Sequence, residues 1–319
     1  MLLTPNILTI YILDALFFLF ASIAFYKSIL ILKNYDASAS TPTQYKLEKS
    51  TYLASTIIKY IFIIKIPLLI FFVFTLDKIS HILTGAMCGA GVVNATVYGN
   101  YLLIIKIINL YLFAYWIVLN REDLEDEQQP YVKLKFSLFI FAYGMLMIEM
   151  LLEILMFSSI DLKSVVDCCG VIYSSSENSY MSMLLNMKTV YMLSAFYGVY
   201  FMIVLFYIVR NNILFMLSNL LFLFISLLSL ISFFGTYIYE LPTHHCPFCF
   251  LQREYYYVGY ILYILLFIGT FYGAIVGLMK FQSEKVERYY KISLIFSSLY
   301  VIVVSYYPLS YYIKNGVWL

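Results

Sequence analysis

Every cysteine and every histidine of the chain lies in a short polar stretch between long apolar runs. Cys88 and His81 fall in the first such stretch, Cys168 and Cys169 in the second. His244, His245, Cys246 and Cys249 fall in the third. Thiolate and imidazole are the redox-active and soft-metal-binding side chains of proteins. A chain using cysteine only as a small hydrophobe would bury some of it within the apolar runs. The grouping therefore points to thiol–disulfide chemistry or to a soft-metal site.

The third stretch is the most specific: Thr243-His244-His245-Cys246-Pro247-Phe248-Cys249-Phe250-Leu251-Gln252-Arg253-Glu254. Cys246 and Cys249 form an exposed C-x-x-C, which can close a small disulfide ring or clasp a soft metal ion. The spacing places Cys249 at or just before the first turn of the next apolar helix. The unpaired N–H groups of a helix N-terminus favour a thiolate there, and Arg253 adds positive charge. Pro247 stiffens the ring, and a turn does not need its missing N–H. The order is His-Cys-x-x-Cys, so the C-x-x-C-His signature of covalent haem is absent. The plainer alternative is a static disulfide or a structural metal clip.

C-x-x-C-x-x-Gln-Arg at the mouth of a membrane helix resembles the motif of DsbB-type membrane thiol oxidoreductases. The resemblance spans Cys246 to Arg253 and the order helix, loop, helix, short turn, helix. It implies a four-helix scaffold passing electrons from a periplasmic thiol protein to a quinone. Cys246 and Cys249 would be the quinone-proximal pair, and Arg253, with Gln252, would help hold the quinone. The family's second cysteine pair follows the next helix, where this chain has 314–319 and no cysteine. Cys168 with Cys169, or Cys88, would have to supply it.

Cys168 and Cys169 are adjacent, and a disulfide between neighbours is strained and easily reduced. Cys88 sits in the glycine-rich Gly85–Gly91, where backbone can approach a ligand or another loop. No strand precedes this stretch and no lysine follows it, so it is not a phosphate loop. Its plainer alternative is an interfacial turn. Five cysteines cannot all pair within one chain. A Cu(I) or Zn site would use the odd thiol, with His244, His245, Cys246 and Cys249 as ligands. Met87, Met181 and Met183 lie near enough to join, although methionine in such places usually packs.

These groups must be held by helices. The 319 residues are 63% hydrophobic and 12% charged, against about 25% charged in a soluble domain. Apolar runs of bilayer-spanning length recur throughout, and in lipid such runs must be helical. We expect an all-α polytopic integral membrane protein of about eight transmembrane helices: 6–32, 58–76, 101–119, 136–157, 184–209, 213–239, 255–279 and 292–312. They form a single membrane domain over 1–319, with candidate halves 1–183 and 184–319. The first run lacks a basic start and is too long for a signal peptide, so it reads as a retained span. Arg210-Asn211-Asn212 makes a tight hairpin, and Gly269, Gly273 and Gly277 form a ladder admitting a close helix.

Lys33, Lys46, Lys49, Arg121, Lys133, Lys135, Arg210, Lys280, Lys285, Arg288 and Lys291 fall on one side. Only Lys78, Lys163, Arg253 and Lys314 fall on the other. The positive-inside bias makes the first side cytoplasmic. Both termini and the Cys/His loops are then extracytoplasmic, and the acidic run 122–127 is a solvated cytoplasmic loop. On the outer side cysteines persist as disulfides, as metal ligands or in turnover. The composition suggests a bacterial inner membrane. Basic residues are scattered, so no nucleic-acid footprint exists. The expected partners are the lipid bilayer and a periplasmic thiol protein or metallochaperone.

Charged residues also lie within the spans, where ionisable groups mark function by default. Glu149 and Glu153 share one helix face at i, i+4, close enough to share a proton. Lys106 and Asp14 lie at similar depth. The group is a candidate proton relay beneath the Cys/His loops, or a structural ion pair of Lys106 with Glu153. Lys65, beside Pro67, marks a kink with a polar lining. Three readings follow: a thiol–disulfide oxidoreductase, with a quinone as its candidate acceptor; a copper or zinc binding, transport or delivery protein; and a structural subunit of a membrane complex.

Overall fold

A computed structural model describes residues 4–35, 41–126, 129–161, 165–166, 188–279 and 283–319. Cys168, Cys169, Lys163, Met181, Met183 and Lys280 lie outside the described residues. Among those described, the protein is all-helical, with eight helices long and apolar enough to cross a membrane. It divides into two compact units: 1–84 with 92–166, and 85–91 with 167–319.

The first unit holds α1 (Pro5–Asn34), α2 (Pro42–Ser80), α4 (Tyr98–Glu125) and α5 (Val132–Ser159). The short α3 (Gly89–Asn94) precedes α4. α1 and α2 start on the same signal: a threonine N-cap, Thr4 or Thr41, followed by proline at the first helical position. The cap oxygen accepts an amide the helix cannot satisfy, and proline has no amide to lose. α1 packs on α2, α2 on α4, α4 on α5 and α5 back on α1. The four enclose Phe17, Phe62, Phe113, Trp116, Phe136 and Phe139. Leu16, Phe18, Leu19, Phe20 and Ile23 on α1 are exposed, as lipid contact requires.

α2 starts far ahead of the expected 58, because Lys46 to Ser50 continue the helix before the apolar run begins. The acidic run is not wholly solvated. Asp123 is buried, pairs with Lys135 Nζ at 2.6 Å and accepts the Tyr131 amide at 2.7 Å. It thereby closes the turn between α4 and α5.

The second unit holds α6 (Thr189–Val209), α7 (Asn212–Ser229), a π-helical turn (Leu230–Phe234), α8 (Gly235–Tyr239), α9 (Val258–Leu278) and α10 (Ser283–Asn315). α7, the π turn and α8 make one span. The hairpin at Arg210 forms as its residues suggest: Arg210 is left-handed at φ 60°, and Asn211 caps α7 by accepting the Leu214 amide. The glycine ladder is a contact strip. A Cβ on Gly269 would lie 2.9 Å from the Ser297 amide nitrogen, and one on Gly277 would lie 2.6 Å from Met216 Cβ. Gly273 faces the Asn219 side chain. Asn219 Oδ1 in turn accepts from the Ser293 hydroxyl at 3.1 Å.

Candidate functional site

The segment Gly85–Gly91 belongs to the second unit, although its chain neighbours on both sides belong to the first. It carries Cys88 to the loop between α8 and α9. There Cys88 Sγ lies 3.5 Å from Cys246 Sγ. The sulfurs of Cys88, Cys246 and Cys249 all lie within 4.8 Å of one another, and all three residues are buried. Cys246 Sγ also accepts the Phe248 amide at 3.5 Å, inside the C-x-x-C ring. Gln252 Nε2 donates to the Met87 carbonyl at 3.1 Å, tying the two segments together beside the sulfurs.

The loop is fixed by groups outside the motif. The Tyr239 hydroxyl, at the end of α8, donates to the Cys246 carbonyl and accepts the Phe250 amide at 3.1 Å. One hydroxyl thus bridges both sides of the C-x-x-C ring. Tyr263, on α9, donates to the Pro247 carbonyl at 2.9 Å. Gly259, at the start of α9, lets the Cys249 turn lie against the helix. A Cβ there would be 3.0 Å from the Phe250 carbonyl oxygen, 2.8 Å from Leu251 Cδ2 and tighter still on the Phe250 ring. Glu240, Tyr256 and Tyr257 adopt left-handed backbone at φ 54°, 54° and 55°, so both ends of the loop are bent through conformations that side chains disfavour.

The two histidines are held differently. His245 Nδ1 lies 3.0 Å from the Ile231 carbonyl, within the π turn. π turns pull carbonyls out of the regular helical ladder and recur at functional sites. A carbonyl only accepts, so Nδ1 carries the proton and Nε2 is left as acceptor or ligand. His244 packs edge-on to Tyr239 at 4.4 Å, and its buried Nε2 has no hydrogen-bond partner. Burial lowers the His244 pKa from its ordinary value of 6.5, against an upward pull from Cys88, and His245 adds to the lowering. The imidazole is accordingly neutral at pH 7.

Several expectations shift. Cys249 does not sit at the mouth of the membrane helix: it opens a 3₁₀ turn, Cys249–Leu251, and α9 starts only at Val258. The C-x-x-C is enclosed rather than exposed, at 1% and 6% for its two cysteines. Arg253 is exposed, in a second 3₁₀ turn. Gln252 is committed to Met87. His81 caps α2. The motif pointed to Cys246 and Cys249, but Tyr239, Tyr263, Gly259 and the π turn carry no motif of their own.

The intramembrane charges meet in the first unit. Lys65 Nζ lies 2.7 Å from Asp14 Oδ1 and 3.3 Å from Glu149 Oε1. Lys106 Nζ lies 2.9 Å from both Glu149 Oε1 and Glu153 Oε2. The Lys106 ammonium thus lies between Glu149 and Glu153 and bridges one oxygen of each. Lys65 completes the row, and α2 continues through Pro67 to Ser80. Asn109 Nδ2 donates to Glu149 Oε2 at 2.5 Å.

Fold and site together define an all-helical, multi-pass membrane protein with a buried three-cysteine cluster. No family model, curated protein or solved structure matches the chain.

Proposed function

We propose that the protein is a membrane thiol–disulfide oxidoreductase whose Cys/His loops face the extracytoplasmic side. The observation that carries this reading is the 3.5 Å contact between Cys88 and Cys246. A third sulfur abuts one member of a C-x-x-C pair, so Cys246 can bond to either neighbour.

In the oxidised state a disulfide joins Cys246 and Cys249. The Cys88 thiolate attacks Cys246; the Cys88–Cys246 bond forms and Cys249 leaves as a thiolate. A thiolate of an external dithiol then attacks Cys88 and releases Cys246. The second thiol of that dithiol displaces Cys88 and closes the partner's disulfide. Two electrons and two protons have moved from the dithiol to the three-cysteine site. Each exchange runs through a thiolate at the attacked sulfur. Reoxidation requires a two-electron acceptor, which the resemblance gives as a membrane quinone. Cys168 and Cys169 are candidates for the external relay.

A second reading is a site for Cu(I) or Zn, favoured by the burial of all three sulfurs and by the unpartnered His244 Nε2. Tetrahedral thiolates at about 2.3 Å from zinc stand roughly 3.8 Å apart. Cys88 and Cys246 stand 3.5 Å apart and all three sulfurs lie within 4.8 Å of one another, which admits that value. Three thiolates would hold a thiophilic ion and give the odd cysteine a role.

One preparation separates the two. Protein purified without chelator is analysed for metal, then oxidised and reacted with a dithiol. The oxidoreductase reading expects no stoichiometric metal, oxidation of the dithiol, and a trapped disulfide at Cys246 in Cys249→Ser. Stoichiometric copper or zinc, lost in Cys88→Ser, supports the metal reading and overturns the redox one.

A further inference from the structure

The buried charges of the first unit form an unbroken row of alternating sign: Asp14, Lys65, Glu149, Lys106, Glu153. Each ammonium bridges two carboxylates, and a carboxylate ends the row on either side. Three acids face two bases, so the fully ionised row would carry one uncompensated negative charge. Side-chain exposures run from 1% to 8%, inside helices long enough to span a bilayer. An unpaired charge there is among the most costly arrangements a protein can hold.

Glu153 shows where the imbalance falls. Its Oε2 takes Lys106. Its Oε1 is buried without a hydrogen-bond partner, which is costly for an ionised oxygen. The groups facing Glu153 are Lys106 on α4, Lys65 on α2, Asp14 on α1 and Glu149 on its own helix. Tyr11 on α1 also faces it, and the Tyr11 hydroxyl is likewise buried and unpartnered.

We propose that this row is a proton-binding site, and that Glu153 holds one exchangeable proton when the row is at rest. The bound proton makes the row neutral. Its release leaves Glu153 as a carboxylate and the row at one negative charge, so uptake and release are single-proton events. A metal cation would compensate the charge equally well, but the adjoining pocket argues against one. It measures about 10 Å³, room for about one water. Lys65 and Lys106 line it with Asn109 and Glu149, and the two positive side chains repel a cation. This inference is independent of the chemistry assigned to the cysteines.

Infrared spectroscopy of the full-length protein in lipid tests it. At about pH 8 exposed carboxyls are ionised, so a protonated-carboxyl carbonyl band reports a buried acid alone. The wild type is expected to show one such band, shifting in D₂O. Glu153→Gln, near-isosteric, should abolish it. Asp14→Asn should abolish it too with Glu153 intact, because two acids then balance two bases. No band in the wild type overturns the proposal without need of any variant. A band of undiminished intensity in Glu153→Gln overturns it as well. Loss of the wild-type band on adding sodium would assign the place to a cation instead.

Discussion

Replacing Tyr239 with phenylalanine removes one oxygen atom and should loosen the whole three-cysteine site. The ring stays, so its packing on His244 at 4.4 Å, Tyr255 at 4.7 Å and Phe250 at 5.9 Å is retained. What is lost is the hydroxyl that bridges the Cys246 carbonyl and the Phe250 amide. Two buried hydrogen bonds at about 1 kcal/mol each give about 2 kcal/mol. At about 1.4 kcal/mol per tenfold, the open form of the loop rises about 30-fold. Cys246, only 1% exposed, reacts with an alkylating reagent through that open form. Its alkylation in reduced protein, followed by site-resolved mass spectrometry, should accelerate by about that factor. When opening is fast relative to labelling, the rate tracks the open population. A change below threefold, in protein of unaltered helicity, would refute the claim that Tyr239 latches the ring.

Three further outcomes follow from the geometry. Gly259→Ala forces the Cys249 turn off α9 and should destabilise the second unit by about 1–3 kcal/mol, read as a lowered unfolding midpoint; an unchanged midpoint with unchanged Cys249 reactivity would disprove the close packing. His244, whose pKa burial depresses, stabilises the fold above its unfolded value and loses that contribution as pH falls through the lower folded value. The wild-type midpoint should therefore drop below pH 6.5, and His244→Gln should flatten the drop; a midpoint that rises on acidification would contradict this sign. Lys106→Met removes one of the two buried cations of the row, leaves a buried carboxylate charge uncompensated and should cost about 3–5 kcal/mol. Adding Glu149→Gln should restore part of that loss, and a double variant no better than the single one would show that the two groups do not interact.

The spans were legible because hydropathy alone dictates them, and the threonine–proline starts of α1 and α2 are visible as letters. The early start of α2 was not, because Lys46 to Ser50 dilute any apolar window while costing a helix nothing. The motif marked Cys246 and Cys249, yet nothing local joins Cys88 to Cys246 across 158 residues. Lys65 was obscured by Pro67, beside which it read as a local feature of α2 and not as a partner of Asp14 and Glu149. Tyr239 is one tyrosine among 33, distinguished only by where its hydroxyl ends up. Asp14, Lys106, Glu149 and Glu153 stood out, since charge within an apolar run always does. The alternation produced by Lys65 needed coordinates.

The union of Cys88 with the C-x-x-C is the central claim, and disulfide mapping after graded oxidation measures it most directly. Full-length protein in lipid is oxidised stepwise, blocked, digested without reduction and analysed by mass spectrometry. Cys246 should be recovered bonded to Cys249 in one fraction and to Cys88 in another, and Cys249→Ser should drive all of it to Cys88. Failure to recover a Cys88–Cys246 bond at any oxidation level, in the wild type and in Cys249→Ser alike, would contradict it.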